Sequence, residues 1–120
     1  MIKKVSDLDV FQLSHNFAMD IFALSRIFPK EEKYSLTDQI TRSSRSVTAN
    51  IAEGWGSRIY ENEFKKHLIY TKGSLEETKI WLQFAKDCQY IKHEEYQNFI
   101  LKSEEVGAKL YKLYNNWKSF

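Results

Sequence analysis

From Phe64 onward, apolar or small residues return at Phe64, Leu68, Thr71, Leu75, Thr78, Leu82 and Ala85. Steps of four and three keep these positions on one face of a helix, and no strand can use that spacing. A helix over about residues 59–89 would be roughly 45 Å long at 1.5 Å per residue, so burying its seam requires partners of similar length. Three further stretches supply them. Residues 7–27 carry Val10, Leu13, Phe17, Ile21, Leu24 and, just beyond, Phe28, widened by Phe11, Ala18 and Phe22 into a stripe broad enough for more than one neighbour. Residues 36–54 carry Leu36, Ile40, Val47 and Ile51, and residues 94–117 carry Tyr96, Phe99, Ser103, Val106, Leu110, Leu113 and Trp117.

The punctuation agrees with four helices. Ser6 or Asp7 offers a side-chain oxygen to the first turn of the first helix, and Pro29 stops it by forcing the preceding residue out of the α region. Ser35-Leu36-Thr37-Asp38 resembles a capping box. Gly54 reads as the C-terminal stop of the second helix, with Trp55-Gly56-Ser57 completing a turn. Residues 30–34 and 89–93 are short polar links. Four amphipathic helices so joined have one economical arrangement, an all-α, up-down-up-down antiparallel four-helix bundle, as a single domain over residues 1–120.

Composition narrows the class. With 42% hydrophobic and 15% aromatic residues, four Gly and one Pro, the chain is neither disordered nor collagen-like. Eighteen Lys and Arg against 16 Asp and Glu leave only +2, so distribution matters more than the total. Cys88 stands alone, which excludes an internal disulfide and suits a cytoplasmic location. The first nine residues do not have the pattern of a signal peptide, and no stretch approaches the ~18–20 apolar residues of a membrane span.

The second helix has an unusual face of Thr41, Ser43, Ser44, Ser46, Thr48, Ala49 and Ala52, small enough for close approach by another helix or a phosphate. It leads into Asn50-Ile51-Ala52-Glu53-Gly54. That motif follows Tyr34-Ser35-Leu36-Thr37-Asp38-Gln39-Ile40-Thr41-Arg42, and Gly73-Ser74-Leu75-x-Glu77 with Leu82 and Ala85-Lys86-Asp87 comes after it. In this order the motifs resemble those of the bacterial four-helix-bundle proteins encoded in intervening sequences of 23S rRNA genes. One departure is Ser43, where the family often has a second basic residue. The resemblance implies a left-handed bundle assembled as a ring-like homopentamer. It also implies kinship to the accessory proteins of diversity-generating retroelements, basic bundles that engage a reverse transcriptase and nucleic acid.

The residues offer one basic constellation. Lys65, Lys72, Lys79 and Lys86 recur every seven residues beside the third helix's seam, Arg42 and Arg45 share the second helix with its hydroxyls, and Arg58 lies in the following link. Such a surface can track the phosphates of RNA or DNA. Equally, flanking lysines can pair with acids of an adjacent helix and fix register. Glu53 and Glu77 are expected to make buried or interfacial hydrogen bonds that set register, together with Asn50 and the Gly73-Ser74 patch, rather than to act as a general acid/base pair. Gly54 belongs to the same motif. His15, His67 and His93 lack the Glu-x-x-His spacing of a di-iron bundle, so no metal or cofactor is expected. Cys88 reads as a small hydrophobe at a helix end. Trp81 is expected to contact a neighbouring subunit, and Trp55 favours neither base stacking nor a subunit pocket. The expectation is a non-enzymatic, self-associating bundle that binds structured RNA. The alternative is a scaffold that recruits a protein such as a reverse transcriptase without touching nucleic acid.

Overall fold

The seam of the third helix is buried along its whole length in the computed structural model of this chain, which describes residues 2–119. Met1 and Phe120, the end positions of the expected domain, lie outside the described residues. Helix α1 spans Asp9–Ser25, α2 Leu36–Gly56, α3 Glu61–Asp87 and α4 His93–Asn116, with short 3-10 turns at Val5–Asp7 and Lys30–Glu32. Packing runs in a closed square: α1 on α2, α2 on α3, α3 on α4 and α4 on α1, the backbones of the diagonal pairs standing farther apart among the described residues. Cross-helix partners establish the antiparallel sense. Ser46 meets Ser74 and Ser43 meets Thr78 between α2 and α3, while Lys109 reaches Asp9 and Lys102 reaches Asp20 between α4 and α1. The result is a rod of 49 × 25 × 19 Å.

Helix ends depart from the sequence reading where a neighbour outcompetes the nominal cap. Asp7 does not cap α1. Its carboxylate accepts the N–H groups of Lys3 (3.1 Å) and Lys4 (3.0 Å), closing the preceding 3-10 turn, and Leu8 stands at the cap position instead. At the other end α1 stops at Ser25, four residues short of Pro29. The N–H groups of Arg26, Ile27 and Phe28 tighten onto carbonyls three residues back. Ser35 caps α2 only indirectly. Its hydroxyl donates to Glu32 Oε1, and the same oxygen accepts the Leu36 N–H at 3.2 Å, so Glu32 is the residue that satisfies the helix start. The Tyr90 hydroxyl donates to Glu32 Oε2 at 2.7 Å and ties this end of α2 to the α3–α4 link. These donors hold the Glu32 carboxyl below its ordinary value, the Ser35 hydroxyl contributing most. The bond to Glu32 pushes Tyr90 up to about 12.

Inside α1, the buried residue after Val10 is Ser14, not Leu13, which is only half-buried. The Ser14 hydroxyl spends its bonds locally and across the bundle, on the Phe11 carbonyl and on Thr48 Oγ1 of α2 (3.0 Å). A hydroxyl ladder of the same kind joins α2 to α3. Thr78 Oγ1 donates to Ser43 Oγ at 2.8 Å, and Ser46 Oγ and Ser74 Oγ share a bond of 2.9 Å. Side chains this small bring α2 close to α3, and each polar rung has a partner, so burying it is tolerable.

Gly54 belongs to this interface and is not a helix stop. It is buried inside α2, where a Cβ would stand 2.7 Å from His67 Cβ. The helix therefore continues through Trp55, which is buried against Phe64 and Trp117 and closes the end of the bundle with edge-to-face aromatic contacts. At its own far end α3 terminates with Gln89 in the left-handed region (φ 64°). The Tyr90 N–H there bonds the Ala85 carbonyl and the Gln89 N–H the Lys86 carbonyl, a Schellman arrangement without its usual glycine.

Candidate nucleic-acid interface

The lysines of α3 lie on its flank towards α4, and three of the four are engaged within the subunit. Lys65 pairs with Glu61 (3.6 Å) and sits over the Tyr114 ring. Lys79 pairs with Glu76 (3.3 Å), and Lys86 pairs with Asp87 (3.8 Å) while covering the Tyr96 ring. All these carboxylates belong to α3 itself, so the pairing expected with an adjacent helix is replaced by short-range pairs plus cation–π contacts onto α4. Among the described residues Lys72 has no ion-pair partner, and it rims a groove of about 460 Å³ between α3 and α4. Leu68, Leu75, Gly107 and Leu110 line that groove.

The three arginines singled out from the sequence occupy separate places. Arg42 is exposed and loosely paired with Asp38 (3.7 Å), beside a shallow polar depression lined by Gln39, Ser43, Ser46, Ser74 and Glu77. Arg45 is exposed on the side of α2 that meets α1, with its guanidinium carbon 5.4 Å from the Phe22 ring centroid. Arg58 is committed to the aromatic end. It stacks on Trp55 at 4.3 Å and donates to the Trp55 carbonyl, while its own carbonyl accepts bonds from Trp117 Nε1 and Ser119 Oγ.

The motif residues are brought together only in part. Asn50 Nδ2 donates to the carbonyl and hydroxyl of Ser46, which in turn meets Ser74, so these three form one half-buried polar cluster. Glu53 and Glu77 are not buried in the subunit. Glu53 is exposed, 3.9 Å from His67 Nδ1, and Glu77 is exposed, accepting Trp81 Nε1 at 3.0 Å. Ten residues of α2 separate Glu53 from Ser43, the level of Glu77's neighbour Thr78, so the two carboxylates lie about 15 Å apart along the axis at 1.5 Å per residue. Trp81 is half-buried beside Phe84, and Cys88 is exposed at the end of α3 rather than packed away. Gly73 is exposed, with open space where a Cβ would stand. Among the described residues no three His, Cys, Asp or Glu side chains converge as metal ligands would, and no helix is long and apolar enough to cross a membrane.

One feature escaped the sequence reading. Ile69, Gly73, Ile80 and Phe84 are all exposed, and at about 100° per residue they fall within roughly 60° of one another on the side of α3 opposite its buried seam. The signal was present as a second set of four- and seven-residue steps, hidden by the stronger one. Monomeric surfaces rarely keep a contiguous apolar stripe of this kind without a use for it.

The class that the fold defines is an all-α, antiparallel four-helix bundle with small-residue packing between α2 and α3. Residues 6–112 match the family of 23S rRNA-intervening sequence proteins, and the chain belongs to that family. A similar solved structure is a protein of unknown function from the S23 ribosomal protein family of Bacteroides thetaiotaomicron. It shares 26% identity and has a TM-score of 0.80, with 89% of this chain and 99% of that one covered. No curated protein matches the chain.

Proposed function

We propose that the protein is a non-enzymatic, cytoplasmic, homo-oligomeric bundle, pentameric as the family resemblance implies, that binds structured RNA. The observation that carries the reading is the outer stripe of α3. Ile69, Ile80 and Phe84 flank a bare Gly73, so a second helix can approach α3 closely from outside while the inner seam remains filled. Assembly matters for binding because one subunit's +2 is a weak attraction, whereas a ring repeats every exposed cation with fixed geometry. Arg42 and Arg45, both exposed on α2, are the cations such a ring would repeat towards phosphates.

A second reading is favoured by the lysine flank. Lys65, Lys79 and Lys86 spend their charge inside the subunit, which suits a scaffold whose partner is a protein such as a polymerase. Light scattering after size exclusion, paired with fluorescence anisotropy of a labelled structured RNA over a salt series, separates the two. RNA binding predicts an oligomer and a linear fall of log affinity with log salt. Ile69→Glu with Ile80→Glu should yield monomers that bind RNA more weakly. An oligomer indifferent to RNA at low salt leaves the scaffold reading, and a wild-type monomer removes the assembly on which both readings rest.

A further inference from the structure

Two of the four arginines converge on one aromatic ring. Phe22 is half-buried on α1, and the Arg26 guanidinium carbon, from one turn further along the same helix, lies 5.8 Å from its centroid. Arg45 reaches the same ring from α2, at 5.4 Å. Two cations at those distances from a common point can be no farther apart than the two distances combined, a span that long, exposed side chains close readily around a single anion. Their partners elsewhere are few. Arg42 has Asp38 and Arg58 has the Trp55 carbonyl. Among the described residues neither Arg26 nor Arg45 has an ion pair or a hydrogen-bond acceptor for its guanidinium.

The arrangement gathers two like charges at one ring with their forked donor sets unspent. The ring's negative face attracts each cation and so positions both, but it satisfies none of their N–H groups. Arg26 near the C-terminal end of α1 also complements the helix dipole, which accounts for a cation there. That does not account for Arg45 arriving at the same ring from another helix. What complements two exposed guanidiniums drawn to one ring is an anion with several acceptor oxygens, and a phosphate accepts the bidentate geometry of arginine directly.

We propose that Arg26 and Arg45, held by Phe22, form a phosphate-binding site for a nucleic-acid strand. The site rests on the RNA-binding reading above and gives it a specific place, the α1–α2 face. Arg26 could not be joined to Arg45 from the sequence, because only the packing of α1 on α2 makes them neighbours.

The test compares wild type, Arg26→Gln/Arg45→Gln, Phe22→Leu and the charge control Lys66→Gln, each checked for helicity by circular dichroism, in anisotropy titrations of a labelled structured RNA across salt. Lys66 is exposed and pairs only with Glu63 of its own helix. Loss of one phosphate contact should reduce the log–log salt slope of the double variant by about 0.7–0.9 and weaken binding at low salt by at least about tenfold. Phe22→Leu should weaken binding several-fold with the slope retained, because the charges remain and only their positioning is lost. Lys66→Gln should stay within about twofold of wild type. If wild type binds RNA and the double variant behaves like Lys66→Gln, the site is overturned while RNA binding stands. If wild type does not bind RNA, the RNA reading falls, and titration with inorganic pyrophosphate decides the site through the arginine Nε–H NMR signals. Selective shifts of Arg26 and Arg45 retain it as a phosphate site, and uniform or absent shifts overturn it.

Discussion

Alanine at two helix-interior glycines should move stability in opposite directions, and the structure supplies the magnitudes. In a helix, Gly→Ala is worth about 1 kcal/mol of propensity wherever the new methyl finds room. At Gly73 nothing lies within 4 Å of a built Cβ, so Gly73→Ala should stabilise the isolated subunit by about that amount. At Gly54 the methyl would lie 2.7 Å from His67 Cβ and 3.2 Å from Phe64 Cδ1, against an ordinary carbon separation of about 3.5–4.0 Å. A Cβ is bolted to its backbone and cannot swing aside, so relief requires moving α3 relative to α2 across the hydroxyl ladder. A fixed contact as short as 2.7 Å belongs in the upper part of the overpacking range, about 2–3 kcal/mol, which outweighs the propensity gain of about 1 kcal/mol and leaves a net loss of about 1–2 kcal/mol. For a 120-residue domain each kcal/mol is about 4 °C of Tm, so Gly54→Ala should melt about 4–8 °C lower and Gly73→Ala about 4 °C higher. Calorimetry at several protein concentrations is the assay. A Gly54→Ala protein as stable as wild type would refute the close-approach argument. A Gly73→Ala protein that is stabilised at low concentration but loses the concentration dependence of wild type would locate a subunit contact at Gly73.

Other outcomes follow from the helix ends and the ladder. Gln89→Gly removes the cost of a side chain in the left-handed region and should raise stability by about 1 kcal/mol, read from the denaturation midpoint at unchanged m; a drop would show that the Gln89 side chain is needed in place. Glu32 has its folded pKa lowered, so its contribution is present above the ordinary value of 4.5 and is lost as pH falls through the folded value. Tyr90 is raised, so its contribution is present below pH 10 and is lost as pH rises towards about 12. Glu32→Gln should therefore flatten the acid limb of Tm against pH and Tyr90→Phe the alkaline limb; unchanged limbs would disconnect this pair from stability. Thr78→Val deletes the donor to Ser43 in a buried site and should cost about 1 kcal/mol in equilibrium unfolding, whereas a neutral result would mean the rung adds no net stability.

The sequence by itself determined four helices, their order and the inward face of α3, since all seven seam positions from Phe64 to Ala85 are buried. The physical reason is that periodicity is a property of neighbours along the chain, and steps of three and four sustained from Phe64 to Ala85 admit one secondary structure. Helix ends were less legible. A cap is a competition among oxygens, and Glu32 outbids Ser35 only because the preceding 3-10 turn folds it back onto the start of α2. Gly54 reads as a stop in one dimension, and only the approach of His67 from α3 reveals it as a contact point. The candidate site was hardest to read for the same reason. Four lysines spaced seven residues apart are visible in the sequence, but which carboxylates and tyrosines absorb them depends on rotamers and on where α4 lies. The meeting of Arg26 with Arg45 at Phe22 spans 19 positions of chain and exists only because α1 folds back on α2. Local spacing decides what each helix is, and tertiary packing decides which of its charges are already spent.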